Sequence, residues 1–535
     1  MKNINRYILM AGVCTASLLA ACDYEQINTN PFEVTDEESI RDNIAVGGMV
    51  LSLEKNVFPV GTQADDTDII NAYQVAYHLS ADIWSGYFGE ANTWDGGNSH
   101  PCYYLKDGWV ASTYDWAYTK SLDPWKRLKA SSEQNKTPEV YALAQILKIS
   151  AWHKAVDTFG PIPYSHAADN TMKIFFDSEE EVYTQMLEDL SAAIGTLKDY
   201  AENGIAIMPK YDAVYGGDAK KWVKYANSLM LRLAMRISSA SPEKAKQYAE
   251  KSLDGIGVMT SKDDEAKMAT GAGMNFINNV EWLATKYGEA RMGSTIYSYL
   301  MGYEDPRLSK YFLPAENPNA VKAYDGQKYM AVPSGHTKGG LKAYKECSLP
   351  NFTSSTPTYW LRTSEVLFLK AEAALKWGGK FGDAKTNYEA GVKMSFEENG
   401  VSGAEQYLMS GKRPMKHSLS GEGNCDFAVP SHATTSFDGG EEEKLEKIMI
   451  QKYLAMFPNG HEAWTDFRRT GYPKMNPVVE NRGSSIGITS TDGIRRMKYP
   501  ESFYQTSEGQ EIYDDAVQKL GGLDNGATNL WWAKK

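Results

Sequence analysis

Five of the thirteen Trp residues fall between residues 73 and 125: Trp84, Trp94, Trp109, Trp116 and Trp125. Tyr87, Phe88, Tyr103, Tyr104, Tyr114 and Tyr118 are interleaved with them. Trp94 stands in residues 91–100, where Asn, Asp, Gly and Ser mark a loop. Asn92, Asp95 and Asn98 flank it. A flat indole ringed by amide and carboxylate groups can stack on the C–H face of a sugar ring and hydrogen-bond its hydroxyls. The expected ligand contacts are therefore Trp94, Asn92, Asp95 and Asn98, then Trp84, Tyr87 and Trp109. Trp282, Tyr324 and Tyr329 join them from a long later insertion. Trp116 and Trp125 lie in helix-like sequence and are expected to pack under the loop.

Patterns for catalysis fail on inspection. Gly483-Ser484-Ser485-Ile486-Gly487 fits the hydrolase elbow G-x-S-x-G, but its neighbours are polar where a buried strand is required. His461-Glu462-Ala463-Trp464-Thr465 starts like a zinc-protease helix, yet Thr465 occupies the position of the second His ligand. Asp65-Asp66-Thr67-Asp68 lacks the Gly and closing Glu of a Ca²⁺ loop. No CxxC pair exists. The sequence names no catalytic residue, no metal ligand and no cofactor, and leaves a structural Ca²⁺ open.

Elements of sufficient regularity must position the aromatic loop. Val140, Ala144, Leu147, Ala151 and Ala155 form a helical stripe after Thr137-Pro138-Glu139. Similar stripes predict antiparallel helix pairs over 139–156 with 179–199, 219–239 with 242–253, and 359–377 with 381–396, and a further helix over 441–457. The expected fold is mainly α, a scaffold of tetratricopeptide-like pairs with long irregular ligand-binding loops. Residues 255–357 and 397–440 are the long insertions, and the aromatics of the first imply that much of it is ordered.

The chain of 535 residues carries 56 Lys+Arg against 68 Asp+Glu, a formal charge of −12. Without a basic run it lacks the electrostatic footprint of a nucleic-acid binder. Its mean hydropathy of −0.46 and single apolar stretch exclude a bundle of membrane helices. That stretch, Tyr7–Ala21, follows Lys2 and Arg6 and ends Leu19-Ala20-Ala21-Cys22. It is too short to span a bilayer and reads as a signal peptide, residues 1–21, with Cys22 as the lipidated first residue of the mature chain. Its removal takes the charge to −14. Residues 22–36 read as a tether and 37–535 as a single domain. Cys102, Cys347 and Cys425 are too sparse for a disulfide framework.

Several segments together resemble a known family. Cys22, Asn28-Thr29-Asn30-Pro31, residues 157–165 (DTFGPIPYS), 361–366 (LRTSEV) with 371–373 (AEA), 464–473 (WTDFRRTGYP), Arg495-Arg496 with Tyr499-Pro500, and Trp531-Trp532 are similar to the SusD-like (SusD/RagB) outer-membrane lipoproteins of Bacteroidetes-type bacteria. The match runs the length of the chain, on the Asn-Pro branch rather than that of the starch-binding founder. The resemblance implies four tetratricopeptide-like pairs and a lipid-anchored, outward-facing protein that hands oligosaccharide to a SusC-like TonB-dependent transporter, binding without cutting. Some members of the family serve peptide uptake, and a surface glycoside hydrolase is the alternative from another class. The family motifs are expected to be structural: Glu365 and Glu372 lie two turns apart on one helix face, with Arg468 and Arg469 as expected partners.

Overall fold

Ser178 shows how locally the helices are specified. Its hydroxyl accepts from the Glu181 N–H, while its own N–H donates to Glu181 Oε2 at 2.8 Å, a reciprocal cap that opens helix Glu179–Glu202. Pro138 starts helix Pro138–Phe159, where a missing N–H costs nothing. In this computed structural model, residues 44–61, 66–269, 276–316, 328–336, 344–419 and 425–533 are described. The signal, tether and Cys22 lie outside them, as does Tyr324. Backbone contacts divide the chain between Gly48 and Met49. Of the first unit only the opening of helix Ile44–Val57 is described; the second, Met49–Lys535, holds the helical scaffold.

Side-chain bonds fix the direction of the first pair. Glu139 meets Tyr200, Lys148 meets Asp189, and Asp157 meets Tyr183, rising numbers against falling ones. Helices Pro138–Phe159 and Glu179–Glu202 are thus antiparallel. Helix Lys120–Asn135 packs before them, and Ala219–Arg236 with Pro242–Lys251 follows. Thr363–Trp377 and Ala384–Glu398 form another pair, against which Glu441–Met456 packs. Gly391 sets their approach: a Cβ there would lie 2.8 Å from Phe368 Cε1.

The scaffold is mainly helical, as the periodicity predicts, with several boundaries displaced by a few residues and the largest displacement at the start of 359–377. The expected helix at 359–377 begins only at Thr363, because Thr358–Leu361 pairs antiparallel with Ala266–Met268. Its Tyr and Trp favour a half-buried pleated surface. A second short ladder joins Phe88–Glu90 to Ala290–Met292, with Glu90 opposite Ala290. The first insertion is therefore built into the body where described, and it is stitched to the segment leading into the aromatic loop.

Buried charges tie five helices together. Arg232 grips Glu365 with two bonds of 2.8 Å, and Arg469 grips Glu372 at 2.5 and 2.8 Å. Arg236 lies 2.6 Å from Glu462 and 3.3 Å from Asp157, and Lys452 lies 2.7 Å from Asp466. Burial would raise the Glu462 carboxyl, but Arg236, Arg232 and Lys452 outweigh it and hold it well below the ordinary range. The expected partner for Glu365 is corrected: Arg232 takes it. Consecutive residues on a helix point about 100° apart, so only Arg469 faces the carboxylates. Arg468 Cζ lies over Trp464, 3.3 Å from its ring centre, and its guanidinium donates to the backbone oxygens of Asp157 and Arg495.

Candidate functional site

The aromatic loop is shaped by backbone that few residues tolerate. Asp95, Gly96 and Gly97 all have positive φ (49°, 63° and 93°), and two glycines in succession meet that demand without steric cost. The resulting turn, Trp94–Gly97, presents Trp94 half-buried while Asp95 and Asn98 are exposed and Asn92 is half-buried.

The Trp94 indole is held from below. Its Nε1–H donates to Glu289 Oε1, and the other oxygen of that carboxylate accepts from Gln74 Nε2. Glu289 is 2 % exposed and directly precedes the strand Ala290–Met292, so the short ladder delivers it under the loop. Gln74 comes from the π-helical stretch Gln74–Asp82. Such wide turns recur at functional sites. The neighbouring Glu90 is also buried, and burial first, then the Glu289 charge, raises its carboxyl well above the ordinary range.

A second indole completes a corner. Trp109 meets Trp94 edge to face, with centroids 5.9 Å apart and planes at 83°. Lys106 Nζ lies 5.2 Å from the Trp109 ring centre and pairs with the Asp95 carboxylate. Beneath, Trp109 rests on His100 at 5.1 Å, His100 on Trp84 at 5.8 Å, and Trp84 on Trp464 at 5.0 Å. Burial pushes His100 down to about 3, so this file of rings stays neutral at its middle.

The sequence-expected residues separate into groups. Trp94, Asp95 and Trp109 come together, with Asn92 and Asn98 in the same loop. Trp84 and Tyr87 are buried: Trp84 Nε1–H donates to His100 O at 2.9 Å, and Tyr87 stacks on Tyr453 at 4.5 Å while its hydroxyl donates to Tyr453 O. They support the loop from the core. Trp125 is buried, whereas Trp116 is half-buried beside Lys120. Tyr329 is buried, with Lys328 Nζ 5.7 Å from its ring centre. Trp282 is half-buried on helix Asn279–Thr285, with Lys286 over its ring, and makes no ring contact with Trp94 or Trp109. Sequence reasoning does not reach Glu289, Gln74 or Lys106. Lys106 carries a signal, a cation twelve positions after Trp94; the other two carry none.

Reactive groupings elsewhere are occupied. Residues 483–487 form an open turn around Ser484–Ile486 with no preceding strand, and Thr465 Oγ1 donates to His461 O within its helix. Among the described residues, His153, Asp157 and Glu462 bring three ligand-type atoms within 4.8 Å of one another. Arg236 already pairs with both carboxylates and Arg232 stands beside Glu462, so a dication added here would meet two buried guanidinium charges. The three described cysteines, Cys102, Cys347 and Cys425, are buried and form no disulfide with one another.

The model of the SusD-like family, described as Susd and RagB outer membrane lipoprotein, matches residues 26–533. The chain belongs to the SusD-like family. A chitin-binding SusD homologue from Flavobacterium johnsoniae has 33% sequence identity over 91% of this chain and 98% of its own, with a TM-score of 0.83. SusD homologues from Bacteroides uniformis and Bacteroides vulgatus, each 32% identical, cover 92% of this SusD-like chain and 99% of their own, with TM-scores of 0.81 and 0.83. No match is found among curated proteins. No helix among the described residues is long and apolar enough to cross a membrane.

Proposed function

We propose that this SusD-like protein captures oligosaccharide at the cell surface on the Trp94–Trp109 corner and delivers it, uncut, to a SusC-like TonB-dependent transporter. Lipid on Cys22 anchors it to the outer membrane, facing outward. The carrying observation is the half-buried Trp94 indole, held by the buried Glu289 carboxylate, with Asp95 and Asn98 exposed in the same loop and Lys106 paired with Asp95. A rigid apolar face with polar groups at its edge suits a sugar ring. The family description as an outer membrane lipoprotein and the chitin-binding homologue support the same reading.

Calorimetry on a panel of oligosaccharides, chitin fragments included, tests it. Trp94→Ala should weaken the best ligand about tenfold or more, since truncating a desolvated stacking ring costs about 1.4 kcal/mol or more. Affinity unchanged by that substitution would remove Trp94 from the site. Release of reducing ends would overturn the non-catalytic reading, and a preference for peptides over every glycan would move the protein to the peptide-uptake members.

A further inference from the structure

A cavity of about 660 Å³ lies apart from the Trp94 corner and shares no residue with it. The end of helix Gly460–Thr470, residues 474–475, the turn 487–495 and the segment 527–529 enclose it. That volume is the size of sites for small organic ligands.

Its wall gathers positive charge that the protein leaves unmatched. Arg469 pairs with Glu372, and Arg496 with Asp524. Their sequence neighbours Arg468 and Arg495 line the cavity and form no ion pair among the described residues. Each bonds instead to the other's backbone, Arg468 to Arg495 O at 2.9 Å and Arg495 to Arg468 O at 2.8 Å. Burial holds the Arg468 guanidinium well below its ordinary value; Asp157 opposes this, and the nearby Arg495 charge adds to it. Arg468 is closed to solvent and acts on the cavity through its charge alone. Arg495 is half-buried and Lys474 is exposed, so both can be reached. Beyond Arg468 O, Arg495 donates only to Asn529 Oδ1 and Asp492 O, and keeps further N–H groups for another partner.

Counter-charge on the wall is small. Asp492 is its one carboxylate among the described residues, and it already accepts the Thr489 hydroxyl at 2.8 Å. The end of helix Gly460–Thr470 adds about half a negative charge. Arg468, Arg495 and Lys474 outweigh both, which makes the cavity positive in a chain whose formal charge is −12. Fixed cations beside the hydroxyls of Thr489 and Thr491 suit an oxyanion, and the half-buried Met475 and Ala527 give apolar surface for the body that carries it. We propose that this cavity is a second binding site, for a small organic anion bearing a carboxylate or sulfate ester, held by Arg495 and Lys474. It does not depend on the Trp94 reading.

Equilibrium dialysis of the full chain in a Trp94→Ala background, against glucuronate, galactose 6-sulfate, glucose and inorganic sulfate, tests this. At least one of the two sugar anions should bind, more tightly than glucose or inorganic sulfate, and the binding should weaken as sodium chloride is raised. Arg495→Gln should abolish it. Because Arg495 also holds the end of a helix, two substitutions of exposed side chains read the same site without that dependence. Lys474→Gln should weaken the anion severalfold, and Asp492→Asn should tighten it severalfold. The proposal is overturned if neither sugar anion binds, if glucose or inorganic sulfate binds as tightly, or if neither Lys474→Gln nor Asp492→Asn changes the binding. Every arm is read without Trp94, so a failure here is distinct from a failure of the corner.

Discussion

Trp94 and Glu289 are joined by a single hydrogen bond across 195 positions of sequence, the indole N–H donating to a carboxylate that is 2 % exposed. The bond makes the orientation of a half-buried ring depend on a residue in the interior. Glu289→Ala should lower oligosaccharide affinity about tenfold, or about 1.4 kcal/mol, by freeing the ring and stranding Gln74. Glu289→Gln, which keeps an acceptor for Trp94, should fall between. Calorimetry on both variants checks this. Equal affinity for wild type and Glu289→Ala would show that the bond has no part in binding.

The buried ion pairs predict the costliest scaffold substitutions. Arg469→Met leaves the buried Glu372 without its ion-pair partner and should destabilise by about 3–5 kcal/mol. Arg469→Lys restores charge without the two-pronged geometry and should recover only part of this. Urea unfolding of the two variants decides; a Met variant as stable as wild type would refute the arrangement.

Gly391 predicts an overpacking effect. A methyl group there meets Phe368 at 2.8 Å, so Gly391→Ala should cost about 1–3 kcal/mol despite alanine's better helix propensity. Phe368→Leu in the same chain should return some of the loss. Additive losses in a double-mutant cycle would count against direct contact.

Glu179 gives a pH signature. Burial raises its carboxyl from 4.5 to about 8, against the bonds from the Trp531 N–H. Below the unfolded value the group is neutral in both states. Above it, the unfolded chain releases the proton first, so stability falls as pH climbs towards 8, by no more than about 1.4 kcal/mol per pH unit. Glu179→Gln lacks this term, and its stability relative to wild type should rise from pH 4.5 to 8 and then level. A pH-independent difference would contradict the shift.

Helices are legible because their apolar stripes and caps are local. Ser178, Pro138 and Pro242 each announce a helix start within a few residues. The strand Thr358–Leu361 is not, since Tyr359 and Trp360 continue smoothly into a helical pattern and only Ala266–Met268 makes them a strand. In the site, Trp94 stands out by its Gly/Asn surroundings, whereas Trp84 and Tyr87 share its composition and differ only in burial, a property of the folded whole. Glu289 and Gln74 are invisible at that level, because the bonds that recruit them span 195 and 215 residues.

The ladder between Phe88–Glu90 and Ala290–Met292 has a further consequence for descent. Because it brings ring and carboxylate from two distant stretches of the gene, replacing either alone alters the one bond they share. Lineages that acquire a new ligand at this corner should replace Trp94 and Glu289 together, as one inherited unit.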